Sequence, residues 1–368
     1  MSNDLAHQGW APAPYGYVDD AGVPVPTDRE SLLARCVGPG AERPEGVWTP
    51  ESGGVVPPWE VPWIFAAMMA PAIDAVRGQL KTGGVVFAIT CVLFLPSLFS
   101  EGSSGPPLLL ILSGMWLAQV LLAYRQVRTM TPAKFAGEIE EARRLPPARE
   151  GTAVYTRALA AMIGVVAVAQ VVSPGTSFDT AGLVKDAVRR GEWWRLLTAP
   201  LLHGNPMHLL FNGMTLLALG TLVERYAHAA LVPLVFVAAA LAGGLASVAL
   251  YPNTTSVGAS GGIMGLIGFA LVLSLRRREL LPRSLFRDLL ADVGWIALMG
   301  LAAYRYIDNA AHAGGLLAGV LLALLLVPRG GHTPHWEPSA AMRAAGWICL
   351  GVVGTSALLA VAAMFGVV

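Results

Sequence analysis

Charge is what this chain has least of. Its 24 acidic and 25 basic residues make up 13% of 368 positions, about half the share a soluble domain carries. A net charge of +1 supplies no field that would draw nucleic acid or an acidic partner. Cysteine is scarce as well: Cys36, Cys91 and Cys349 cannot form a closed disulfide set, and their spacing offers no metal-binding framework. Cys91 and Cys349 sit in apolar stretches, as small core or lipid-facing residues do. The first 58 or so residues lack lysine, sustained periodicity and any apolar run resembling the core of a signal peptide. Their acids (Asp4, Asp19, Asp20, Asp28 and Glu30) also argue against a mitochondrial presequence. Rich in proline and glycine, residues 1–60 are expected to be a disordered or loosely folded cytoplasmic tail.

What the chain does have is apolar sequence, 55% of all residues, with a mean hydropathy of +0.58. Segments near the roughly 20 residues a membrane helix needs fall at about 83–100, 107–124, 154–172, 206–223, 229–250, 257–275, 289–303, 309–327 and 344–365. That gives nine spans, with the shorter run 61–69 expected to lie at the interface. The fold class expected is all-α, a polytopic membrane helix bundle. Residues 61–150 would hold two leading spans and an amphipathic linker (131–144), 151–328 a six-helix core, and 329–368 a linker and a further span. Basic residues cluster between the second and third spans (Arg125, Arg128, Lys134, Arg143, Arg144, Arg149) and between the sixth and seventh (Arg276, Arg277, Arg278, Arg283, Arg287). The positive-inside rule makes those loops cytoplasmic, and the N-terminus with them. One loop dissents: Lys185, Arg189, Arg190 and Arg195 fall on the side this map calls outer, offset by Asp179, Asp186 and Glu192.

Two polar residues stand out in this apolar setting. Ser260 opens the sixth span within Gly258-Ala259-Ser260-Gly261, and His312 lies near the start of the eighth within Asn309-Ala310-Ala311-His312-Ala313-Gly314-Gly315. An ionisable side chain at membrane depth is costly and is read first as functional. A glycine-flanked serine at the same outer depth supplies a nucleophile for it, so the pair reads as a Ser–His hydrolase. A third element, His203-Gly204-Asn205-Pro206-Met207-His208-Leu209-Leu210-Phe211-Asn212, enters the fourth span from the same side. With Pro206 in the first helical turn, His208 and Asn212 fall at i and i+4 on one face. There they could join the Ser260 amide in stabilising a tetrahedral oxyanion. Each motif alone has a plain structural counterpart. His208 and Asn212 could merely bond helices together, the glycines around Ser260 could be a packing face, and His203 could be a loop or capping residue. Small residues also suit a dyad mechanically. Gly315 and Gly319 follow His312 at i+3 and i+7, and Gly261, Gly265 and Gly268 thin the serine helix, so two backbones can approach closely enough for a hydrogen bond between side chains.

Together, HGNPMHLLFN, GASG and IDNAAHAGGLLAG, in that order, resemble the rhomboid family of intramembrane serine proteases. GEWWRLLTAPLLH adds Trp194-Arg195, similar to the tryptophan–arginine motif of that family's first external loop. The resemblance spans roughly residues 154–327. It implies a six-helix catalytic core, here with two extra N-terminal and one extra C-terminal transmembrane helices. It also implies Ser260 as nucleophile, His312 as general base and then acid, no acidic third member, and an oxyanion hole from the Ser260 amide with His208 and Asn212. His203 would support the loop, Glu224-Arg225 would be a structural ion pair, and neither metal nor other cofactor is called for. Met264 departs from the family's frequent aromatic one turn after the serine; its sulfur can still press on a ring edge, but it holds the imidazole less rigidly. Water would reach Ser260 past the polar loops at 193–200 and 251–256. Partners would be the lipid bilayer and transmembrane protein substrates, cut where small or helix-breaking residues expose carbonyls near the outer surface. The setting implied is a bacterial inner membrane. A rhomboid-like pseudoprotease acting in binding or quality control is the alternative, countered by the presence of both Ser260 and His312. A channel or transporter would call for repeats or paired broken helices, which the sequence does not show.

Overall fold

The computed structural model describes residues 13–37, 43–94, 107–145, 153–173, 176–251, 254–329 and 339–367. The chain divides into two compact units, one running to Arg143 and the other from Arg144 onward.

The first unit corrects the expectation of a disordered tail. Strands β1 (Tyr15–Val18), β2 (Pro24–Thr27) and β3 (Gly46–Trp48) form an antiparallel sheet in the order β2-β1-β3. Asp19 turns the chain between the first two: its Oδ1 accepts from the amides of Ala21 (3.1 Å) and Val23 (2.7 Å). Helix α1 (Arg29–Val37) lays Leu32 and Cys36 against Val47 of the sheet, and Val61 and Ile64 complete this small core. Burial raises the Cys36 thiol pKa to about 11, so it is a buried apolar group and not a reactive thiolate. The run expected to lie at the interface instead starts α2 (Pro62–Phe94), which gathers Val61 and Ile64 into the mini-domain. Helix α2 packs on α3 (Pro107–Arg128), with Gly83 lying under the Trp116 ring, Gly114 under that of Phe87, and Thr90 bonded to Ser113 at 2.7 Å. The expected first span continues past Phe94 into 95–100, outside the described residues. Helix α4 (Pro132–Arg144) lies at nearly the bounds expected for the surface linker helix, and its Phe135 meets Trp59 and Phe65 edge-on.

The second unit is a helical bundle. It contains α5 (Val154–Val172), α6 (Ser177–Ala181), β4 (Leu183–Val184), α7 (Lys185–Arg189) and α8 (Arg195–Thr198). These are followed by α9 (Pro206–Tyr226), α10 (Leu231–Leu250), β5 (Thr255–Ser256), α11 (Ser260–Arg276), α12 (Leu285–Ala302), α13 (Asn309–Leu326) and α14 (Ala340–Met364). Among the described residues five helices, α5, α9, α10, α13 and α14, are long and apolar enough to cross a membrane. Helix α11 is equally apolar but has 17 residues, and α12 carries Arg287, Asp288 and Asp292.

Helix α11 is the centre of the bundle: Gly261 to Ser274 are all buried. The outer helices turn Val165, Val168, Val171, Leu321, Leu325 and Leu358 outward. Exposed aliphatic side chains in such number suit hydrocarbon as solvent, where they cost nothing. At the end of the bundle away from Ser260, Arg276 donates to the carbonyls of Leu324 (2.7 Å) and Val327 (2.6 Å), satisfying the C-terminus of α13. Glu224 does not take Arg225 as its partner. Its Oε1 accepts from both the amide and the hydroxyl of Thr156, each at 2.6 Å, and so caps the first turn of α5.

Candidate active site

Ser260 is the first residue of α11 and His312 lies in the first turns of α13. Their side chains meet, with Ser260 Oγ 2.8 Å from His312 Nε2. Glycine makes that approach possible. A Cβ on Gly315 would fall 2.0 Å from the Gly261 carbonyl oxygen, and one on Gly319 would fall 1.9 Å from that of Gly265. On the serine helix, a Cβ on Gly268 would fall 2.3 Å from the Leu316 carbonyl oxygen. No side chain separates the two helices along this seam, the packing that lets membrane helices come close. Met264, one turn beyond the serine, is buried in the main core.

Helix α9 supplies the next two residues. Asn205 caps it by accepting from the His208 amide at 2.8 Å, and Pro206 occupies the first turn. His208 and Asn212 then project from one face toward the loop that precedes Ser260. There Gly258 has φ +127°, a conformation other residues avoid, and a Cβ on it would fall 2.6 Å from His208 Cε1 and 3.7 Å from Asn212 Nδ2. Gly258 therefore allows both the turn and the contact. Its amide donates to the Ala199 carbonyl at 3.0 Å, fixing the loop from the other side. Asn212 Nδ2 and His312 Nδ1 are buried with no hydrogen-bond partner among the described residues.

His203 packs edge-on against His208 with ring centroids 5.1 Å apart, and neither of its ring nitrogens has a partner among the described residues. Burial and the neighbouring His208 depress its pKa to about 4, so it sits as a neutral ring in a packing role. Its backbone is held by a residue that no sequence motif singles out. Gln170 of α5 accepts from the His203 amide (2.9 Å) and donates to the His203 carbonyl (3.2 Å) and to Ser177 Oγ (2.9 Å).

Trp194 and Arg195 organise the loop before α9. Arg195 is buried under the Trp194 ring, 4.7 Å from its centroid, and pairs with Glu192 at 2.7 Å. It also donates to the carbonyls of Asp179 (3.0 Å) and Gly182 (2.9 Å). Lys185 is buried as well, beside Asp308. Two of the four cations that opposed the charge-based orientation are therefore internal structural charges, not free loop charges.

The family model for the rhomboid domain matches residues 190–329. The "Rhomboid protease GluP" of Bacillus subtilis (strain 168) is 37% identical over 146 residues, covering 39% of this chain and 28% of that protein. The "Putative rhomboid protease YdcA" of the same organism is 35% identical over 152 residues, covering 41% of this chain and 76% of that one. "RHOMBOID-like protein 4" of Arabidopsis thaliana is 32% identical over 158 residues, covering 42% of this chain and 38% of that protein. The matched stretch carries the serine, both helices of the Gly seam and the polar face of α9. Together with five apolar helices of membrane-spanning length, it makes this a multi-pass integral membrane protein, and the chain belongs to the rhomboid family.

Proposed function

We propose that this chain is an intramembrane serine endopeptidase that cuts transmembrane segments of other membrane proteins with the Ser260–His312 dyad. The observation that carries the reading is the 2.8 Å contact between Ser260 Oγ and His312 Nε2, on a helix start flanked by His208 and Asn212. In this reading the serine hydroxyl donates to Nε2, and His312 takes the proton as Oγ attacks a substrate carbonyl. The imidazolium then returns the proton to the leaving amine, and a water activated in the same way releases the acyl group. The first N–H groups of a helix have no intrahelical acceptor. The Ser260 amide is therefore available to the oxyanion, with His208 and Asn212 as side-chain donors in a water-poor setting where such bonds are strongest. The active site is proposed to open to the outer side of a bacterial inner membrane. The N-terminus and the arginine-rich loop before α12 would then be cytoplasmic, and α2 and α3 two additional spans.

A fluorophosphonate probe tests the reading directly. Membranes holding the full chain should show covalent capture at Ser260, located by peptide mass, and capture should vanish in His312→Ala. A chain that is never captured at Ser260 would be a pseudoprotease on the same scaffold. The donors have their own test. Removing one oxyanion donor typically costs about a hundredfold or more in turnover, so Asn212→Ala and His208→Ala should lower kcat far more than they raise KM. Undiminished kcat in both would leave these residues only a packing role.

A further inference from the structure

Four elements of the bundle converge on a carboxylate that the dyad does not use. Asp308 is the N-cap of α13: its Oδ1 accepts from the Ala311 amide at 2.9 Å, and its carbonyl accepts from the His312 amide at 3.1 Å. The other oxygen, Oδ2, accepts from Ser256 Oγ at 2.5 Å and from the hydroxyl of Ser247 on α10. Lys185 Nζ stands 3.8 Å from that oxygen, and it donates to Ser256 Oγ at 2.5 Å and to Thr254 Oγ1 at 3.0 Å. The Lys185 side chain is wholly buried. Burial pushes its pKa below the usual lysine value, and the Asp308 charge opposes that push.

The positions of these groups matter more than their number. Asp308 precedes His312 by four residues, about one helical turn, and Ser256 precedes Ser260 by four. Ser256 lies in β5, which pairs with β4 (Leu183↔Ser256, Val184↔Thr255), and Lys185 follows β4 directly. One carboxylate thus joins the start of the histidine helix to the loop that delivers the nucleophile and to the external loop beside it. It is not a third member of a triad. Its oxygens bond to Ala311, Ser256 and Ser247, and His312 Nδ1 has no partner among the described residues.

We propose that Asp308 is a positioning residue which, with Lys185, fixes the start of α13 against the Ser260 loop and so sets the distance between nucleophile and base. The proposal rests on the serine-protease reading above. A displacement of about 1 Å at a reacting centre costs on the order of a hundredfold in rate, so a hub one turn before His312 and bonded to Ser256, four residues before Ser260, has leverage over the chemistry.

The test uses the full chain in proteoliposomes. It measures kcat and KM on a model transmembrane substrate, the rate of fluorophosphonate capture per folded molecule, and Tm. Asparagine is itself a good N-cap, so Asp308→Asn keeps the helix start but leaves a buried ammonium unpaired. Its kcat and capture rate should fall by about tenfold or more, with KM within about twofold. Adding Lys185→Met removes the stranded charge, and this double variant should return to within about threefold of the parent. Asp308→Ala, which also loses the cap and the serine bonds, should stay impaired in the Lys185→Met background. The proposal is overturned if Asp308→Asn and Asp308→Ala both keep kcat within about twofold. It is equally overturned if lost activity follows only the folded fraction while capture per folded molecule is unchanged. An unlabelled parent chain would refute the dyad itself, whereas equal labelling of parent and Asp308 variants refutes only the positioning role.

Discussion

Ser260→Ala and His312→Ala should each abolish cleavage of a model transmembrane substrate, with losses on the order of 10⁴-fold or more. The physical reason is that, in the proposed mechanism, the two side chains act as one chemical unit. Without His312 the hydroxyl keeps its proton and is a weak nucleophile. Without Ser260 the imidazole at 2.8 Å has nothing to activate except water, held in a geometry built for attack from Oγ. The losses therefore do not add, and the double variant should be no slower than either single one. Residual activity in all three would come from substrate binding and the donors around the oxyanion. The assay should follow a defined cleavage product in proteoliposomes, with equal amounts of folded protein confirmed for every variant. If Ser260→Ala cleaved at the parental rate, another group would have to be the nucleophile. Both helix starts would then have converged for packing alone.

How much of this was legible in the sequence depends on the range of the forces involved. The span expected at 154–172 coincides with α5, and α13 starts at the expected Asn309. A continuous apolar run bounded by polar residues is a local signal and survives folding unchanged. The HGNPMHLLFN element was legible for the same reason: cap, Pro206 and the i, i+4 pair all lie within one short stretch. The folded region before α2 was not legible. Its strands are three or four residues long, and its core is a handful of side chains gathered from Leu32 to Ile64. Too little apolar sequence lies in any one window there to show a period. Lys185 misled in a different way. As a lysine in a polar loop it reads as a topology marker, and only the tertiary structure supplies Asp308, Ser256 and Thr254 as partners. Gln170 likewise reads as a lone polar residue near the end of an apolar helix until the His203 loop folds against it. Local patterns picked out Ser260, His312 and the polar face of α9 that the structure brings together. The supports that hold them are long-range pairs, and a single sequence carries no trace of those.

The glycine seam gives the second large effect, and it separates packing from chemistry. Gly315→Ala adds one carbon, and at Gly315 that carbon would stand 2.0 Å from the Gly261 carbonyl oxygen. The obstacle is backbone in the first turn of the serine helix, so no side chain can swing aside to make room. Ordinary contact needs roughly 3.5 Å, and α11 and α13 must therefore part by more than 1 Å, one turn from His312. A misplacement of that size costs on the order of a hundredfold, so kcat and the rate of fluorophosphonate capture should both fall by about that factor. Tm should fall too, because the separation also opens a close helix–helix interface. Gly319→Ala meets an equally close carbonyl, that of Gly265 at 1.9 Å, but one turn farther from the dyad. It should lower Tm as much while reducing capture per folded molecule less. Gly164→Ala on α5 is the control: nothing lies within 4 Å of its Cβ position, and alanine is the better helix former by about 1 kcal/mol. Activity and Tm there should be unchanged or slightly raised. If Gly315→Ala matched Gly164→Ala in both measurements, helix contact could not be what holds Ser260 and His312 within reach of each other.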